Sequence, residues 1–198
     1  MTKFPTNRRS RAIGFAAAWL VVLAAIPLFV TQPARAETGP SLSVPGLDQE
    51  RLNPLIGEWT TEIKSWKTPE SEPVTLKGTV TRRWTLNGRF VEENAENETS
   101  RGKRFRSIAY LGYNRGTELY ERFWMTNTWT GMFTERGRYD PDSNVIRLQG
   151  SESGASGIVT LTTSELKIDS PDRHVLTTYT TGADGVRWKQ LEIVYSKK

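Results

Sequence analysis

Beyond residue 56 the chain alternates in twos. Trp59, Thr61 and Ile63 fall on one face of a first extended segment, with Glu58, Glu62 and Lys64 on the other. Val74, Leu76, Gly78, Val80, Arg82 and Trp84 share one face of a second, which follows a turn bounded by Pro69 and Pro73. Asn87-Gly88 marks a hairpin, and Arg89–Asn94 returns as a third strand. The same pattern predicts strands over Phe105–Tyr113, Leu119–Thr126, Met132–Tyr139, Val145–Gln149, Ile158–Ile168, His174–Thr181 and Val186–Tyr195. Turn-forming residues separate them at Asn114–Gly116, Asp140–Asn144 and Gly182–Gly185, with a small-residue loop at Gly150–Gly157. Ahead of the strands, Leu47, Leu52, Leu55 and Ile56 form an apolar cluster that Pro54 limits to a short helical turn. About ten short strands with no crossover helix predict an all-β, antiparallel up-and-down barrel, with an open sandwich as the other arrangement. Closure removes the unpaired edges, and a barrel of eight to ten strands holds side chains plus about one small ligand.

The first 36 residues follow a different pattern. Lys3, Arg8, Arg9 and Arg11 precede the apolar run Ala12–Val30, and Ala34-Arg35-Ala36 offers a small-x-small cleavage site. This is the layout of a secretory signal peptide. The run approaches the roughly 20 residues that span a bilayer, so an uncleaved anchor is the alternative, and the only membrane contact expected. Cleavage near Ala36 predicts a periplasmic or secreted protein, a flexible Gly/Ser/Pro-rich leader over 37–46 and one barrel domain over 47–198. Arg8-Arg9 lacks the apolar residues expected after a twin-arginine pair. The absence of cysteine excludes both a lipid-modified cysteine and a disulfide framework.

This segment also reverses the charge argument. Five of the 27 basic residues and none of the 22 acids lie within it, so the remaining chain is balanced at 22 of each. No net positive field or basic stripe remains for a nucleic acid to exploit.

The start Leu52-x-x-Leu55-x-Gly57-x-Trp59 resembles that of calycins, the superfamily of lipocalins and fatty-acid-binding proteins. Resemblance to calycins implies that Trp59 closes the barrel base under a basic residue of the last strand, which would be Lys197 or else Arg187 or Lys189. The remainder resembles an exported bacterial family known as domain of unknown function 1579. The shared residues include Trp66, Gly78-Thr79 with Arg82, Gly88-Arg89-Phe90, Gly112-Tyr113-Asn114 and Trp124. They continue through Thr130-Gly131, Gly137-x-Tyr139-Asp140, Asp184-Gly185 and Glu192-Ile193-Val194-Tyr195. This resemblance implies a lipocalin-like barrel and no established activity. Thr126 and Thr177 stand where the family pattern carries acids.

Arg82 is the sharpest candidate for chemistry, because it shares a face with Val80 and Trp84. A buried guanidinium stays charged and requires partners. It would either clamp the carboxylate or phosphate of a ligand, or pair structurally with Glu92 or Glu192, or lie at the rim. Trp84, Tyr120, Phe123, Trp124 and Trp129 are candidate cavity residues, with Trp124 and Trp129 near its mouth; the same aromatics would also fill an ordinary core. His174 is the only histidine, which excludes multi-histidine metal sites. Its default reading is a hydrated strand-edge side chain, and a single axial haem ligand is the alternative. No other cofactor is expected. Glu92 and Glu192 are candidate polar groups of the lumen and, with Tyr195, supply the residue types that acid–base chemistry needs. A non-enzymatic carrier of a small apolar or amphipathic molecule heads the expectations. A cofactor-free lumen enzyme and an envelope interaction protein with a packed barrel follow it.

Overall fold

A computed structural model describes residues 42–98, 102–153, 159–182 and 185–198. The signal segment and its cleavage site lie outside these residues. Ten strands follow one another: β1 (Gly57–Ser65), β2 (Val74–Thr85), β3 (Phe90–Glu98), β4 (Arg104–Asn114) and β5 (Leu119–Thr126), then β6 (Phe133–Asp140), β7 (Val145–Ser153), β8 (Val159–Ser170), β9 (Arg173–Thr181) and β10 (Arg187–Lys197). Each pairs antiparallel with its neighbours in sequence, and β1 pairs with β10 to close the barrel. Pairing of Trp59 with Lys197 through Ser65 with Leu191 makes this a seven-residue seam, which excludes the open sandwich.

Alternation fixes which side chains fill the interior. Trp59, Thr61 and Ile63 of β1 point inward together with Val80 and Arg82 of β2 and Leu191, Ile193 and Tyr195 of β10. The observed β3 and β7 run four residues further than the hydrophobic pattern suggests, to Glu98 and Ser153. Polar residues continue these strands because both edges of each are hydrogen-bonded to neighbours, so ladder bonds replace apolar burial.

One end of the barrel is stoppered by α1 (Leu47–Glu50) and a 3-10 turn (Asn53–Leu55). Leu52 and Leu55 are buried against Trp59, Leu111, Tyr120, Ile146, Leu148, Leu166 and Ile168. Polar atoms weld the stopper to the wall. Gln49 Nε2 donates to the Tyr113 carbonyl at 2.8 Å, the Tyr120 hydroxyl donates to the Asp48 carbonyl at 2.9 Å, and Trp84 Nε1 donates to Asn53 Oδ1 at 3.0 Å. Leu47 is exposed rather than packed with the rest of its cluster, since it opens α1 on the solvent side. The leader is also less free than its composition suggests over residues 42–46. Arg89 donates to the Ser43 carbonyl and Arg115 to the Val44 carbonyl.

Two positions explain glycines in the chain. Gly57 enters β1 with φ +134°, which a side chain rarely tolerates, so the Gly-x-Trp start is a backbone requirement. Gly137 lets β6 approach β7 so closely that a Cβ there would lie 1.8 Å from the Arg147 carbonyl oxygen.

Candidate functional site

The lumen divides into three layers. The stoppered end is packed solid, the middle carries charge, and the far end is hollow. The hollow is a cavity of about 370 Å³. Its walls are mainly apolar: Ile63, Trp66, Leu76, Val80, Ala95, Phe105, Trp124, Phe133, Leu176, Leu191 and Ile193. The pocket lies within the usual size range for small-molecule sites. A bulge between Lys189 and Leu191 inserts one residue into β10, so that Gln190 and Leu191 both border the cavity.

Beneath it lies the charged layer. Arg82 is buried, with its side chain 5% exposed, and is held on several sides. Its Nε meets Glu93 Oε2 at 2.6 Å and its Nη2 the same oxygen at 2.5 Å. Its Nη1 donates to His174 Nε2, and its guanidinium carbon lies 4.2 Å from the centre of the Tyr195 ring. A second pair joins Arg122 Nη1 to Glu135 Oε2 at 2.7 Å. Burial alone would depress the Arg122 guanidinium, but the carboxylates of Glu135 and then Glu93 more than offset it and hold its pKa above the ordinary value. Two arginines and two glutamates make the layer electrically neutral. Glu93 and Arg122 also border the cavity, forming its floor, whereas Arg82 borders only a 20 Å³ void below. Among the described residues three buried side-chain atoms have no hydrogen-bond partner: Glu135 Oε1, Thr162 Oγ1 and His174 Nδ1.

His174 overturns the hydrated-edge reading. It is 0% exposed, stacked on Tyr195 at 4.4 Å and met edge-on by Trp59 at 4.3 Å. Because Nε2 accepts from Arg82, the ring is the neutral tautomer with its proton on Nδ1. Burial first, and the Arg82 charge second, push its pKa down to about 2. Neither ring nitrogen borders the cavity, so His174 is not placed to ligate a haem iron in the lumen. Among the described residues no group of three or more His, Cys, Asp or Glu could hold a metal ion.

The remaining candidates separate by strand phase. Trp124 lines the cavity. Trp84 and Tyr120 face inward at the stoppered end, where their polar atoms serve the plug. Phe123 lies outside, 39% exposed, because its neighbours Arg122 and Trp124 take the inward positions of β5. Trp129, in the turn between β5 and β6, packs its indole over Gly131 and does not reach the cavity. Glu92 is also outside. Arg83 and Asn94 hydrogen-bond its carboxylate, and the Arg83 bond above all holds its pKa below the usual value. Glu192 faces outward between Leu191 and Ile193 and accepts from Lys189 at 2.8 Å. Arg82 is therefore paired with neither acid considered for it, but with Glu93, one residue out of phase with Glu92. Lys197 does lie by Trp59, its Nζ 5.6 Å from the indole, while Arg187 stacks on Tyr179 and Lys189 on Trp66. The Tyr195 hydroxyl is held above its ordinary pKa, mainly by burial and then by the Glu93 charge. Thr177 lies outside as well, its neighbours Leu176 and Thr178 being the cavity residues.

Glu93, Arg122, Glu135 and the aromatics Trp66, Phe105 and Phe133 are the site residues that alternation alone did not single out. For Glu93 a signal existed. A two-residue Asn87-Gly88 turn sets Leu86 opposite Arg89, and counting back along both strands sets Arg82 opposite Glu93, the register observed.

A model of the family described as "Protein of unknown function (DUF1579)" matches residues 44–197. Among solved structures, the crystal structure of Rv2717c from M. tuberculosis is 17% identical with a TM-score of 0.56, over 77% of this chain and 98% of that one. That likeness shows a shared fold. A redesigned β-barrel, b11L5F_LGL, aligns at 11% identity and a TM-score of 0.41, over 75% of this chain and 95% of that one. EF1p2_mFAP2b, solved bound to DFHBI, aligns at 9% and 0.42, over 76% and 98%. No curated protein matches the sequence.

Proposed function

The chain belongs to the DUF1579 family of proteins of unknown function, and from that premise we propose that it is an exported carrier that binds one small apolar or amphipathic molecule inside its barrel. The observation that carries this reading is the 370 Å³ cavity with apolar walls over a polar floor. A barrel serving only as an envelope scaffold has no need to leave one end of its lumen unfilled, since interiors otherwise pack to near-crystalline density. The lumen-enzyme reading loses two of its three groups, because Glu92 and Glu192 are outside. The third, Tyr195, is a poor proton donor with its pKa raised by burial. Export rests on the segment 1–36, and the mature N-terminus is expected at Glu37.

Native mass spectrometry of the protein purified from its export compartment tests both points together. Expected are a mass beginning at Glu37 and a single small-molecule adduct released on denaturation. The carrier reading fails if the protein is adduct-free and neither its tryptophan emission nor its unfolding temperature responds to a panel of apolar compounds.

A further inference from the structure

Charges at the cavity floor are already cancelled. Glu93 faces the cavity with 13% of its side chain exposed and is neutralised by Arg82; Arg122, at 14%, is neutralised by Glu135. A ligand carboxylate would therefore add uncompensated negative charge beside Glu93, and an ammonium would add positive charge beside Arg122. Burying an unpaired charge is costly. Arg82, the obvious clamp for a carboxylate, is occupied by Glu93, His174 and Tyr195 and does not border the cavity. Hydrogen-bonding capacity does remain. Glu93 offers acceptor lone pairs, and Arg122 has guanidinium donors beyond the Nη1 bond to Glu135.

We propose that the ligand's polar end is an uncharged group carrying both a hydrogen-bond donor and an acceptor, such as a primary amide, a lactam or a hydroxy ketone, on an apolar body. The donor meets Glu93 and the acceptor meets Arg122. The apolar body lies against Ile63, Phe105, Trp124 and Ile193. This inference rests on the carrier reading above and adds the chemical class.

Four eight-carbon probes decide it: octanamide, octanoate, octylamine and 2-octanone. They share a chain and differ in head, being respectively donor with acceptor, anion, cation and acceptor alone. Each is titrated into the purified protein at pH 7 and followed by calorimetry and tryptophan emission. Octanamide is expected to bind at least tenfold more tightly than each of the others. Octanoate or octylamine binding as tightly as octanamide overturns the uncharged head. Equal binding of 2-octanone and octanamide overturns the donor requirement, and the role of Glu93 with it, while lumen binding stands. If none of the four binds at millimolar concentration, this inference falls; the carrier reading stands if the purified protein still releases a small-molecule adduct and falls with it if the protein is adduct-free.

Discussion

Removing the Arg82 guanidinium would leave the Glu93 carboxylate in the barrel interior without its counter-charge and His174 Nε2 without its donor. Stranding one member of a buried pair costs about 3–5 kcal/mol, so Arg82→Met is expected to lose that much in equilibrium urea denaturation. Arg83→Met supplies the contrast. Arg83 pairs with Glu92 on the outer face, where its own side chain is mostly exposed, and its loss should stay within about 1 kcal/mol. Similar values for the two variants would mean that the charged layer is not held as described. His174 gives a pH signature with a definite sign. Its native pKa is near 2 against an ordinary 6.5. Above pH 6.5 both folded and unfolded states carry the neutral ring and pH has no effect through it. Below, only the unfolded chain takes up the proton, so stability falls by about 1.4 kcal/mol per pH unit until the native ring titrates. Between pH 7 and pH 5 this amounts to about 2 kcal/mol. His174→Gln should remove that share of the difference, and an unchanged difference would mean that another group governs the acid limb.

At the scale of the element, the β6–β7 approach and the β2–β3 turn make opposite predictions. Gly137→Ala would thrust a methyl group into the Arg147 carbonyl and force the two strands apart. Overpacking costs typically 1–3 kcal/mol and occasionally more; with backbone as the obstacle, a loss of about 3 kcal/mol in denaturant is expected. In the turn, Leu86 is exposed yet takes φ 48°, ahead of Asn87 at 57° and Gly88 at 79°. Left-handed backbone costs an ordinary L-residue about 1–2 kcal/mol, and asparagine tolerates it better. Leu86→Asn should therefore stabilise the protein by about 0.5–1 kcal/mol, visible as a higher urea midpoint with an unchanged slope. A lower midpoint would show that Leu86 makes a contact worth more than the strain.

For the whole molecule, the hollow end is the feature to perturb. Ala95 lines the cavity on β3, so Ala95→Phe should fill it. Octanamide affinity is expected to drop at least tenfold while unfolding in urea changes by less than about 1.5 kcal/mol. Retained affinity in that variant would place binding elsewhere.

The barrel itself was legible in the chain. Period-two alternation marks the strands, Asn87-Gly88 and the other turn residues separate them, and a run of short strands with no crossover helix leaves meander topology as the natural arrangement. Arg82 could be placed inward from the same alternation, and counting through the tight hairpin would have set Glu93 opposite it. Glu93 was nonetheless obscured by Glu92, because two adjacent acids on one strand supply no contrast in polarity from which to read phase. Trp84, Tyr120 and Trp124 all face inward, but alternation specifies a face and says nothing of height along the barrel axis. Only the position of the helical stopper separates the two that pack the plug from the one that lines the cavity.

What the sequence determined by itself is local: strand, turn, face, and the glycine that lets the chain enter β1. These follow from steric and hydrogen-bonding preferences acting within a few residues. Tertiary structure decided that Arg122 meets Glu135 across the longer β5–β6 connection and that His174 lies between Trp59 and Tyr195 across the closing seam. It also decided that the stopper packs one end of the lumen while the other end stays hollow. Those contacts join residues distant in the chain. The β5–β6 pairing sets Arg122 opposite Glu135 across a connection too long to imply a register, and Trp59 reaches His174 only because β1 and β10 close the sheet.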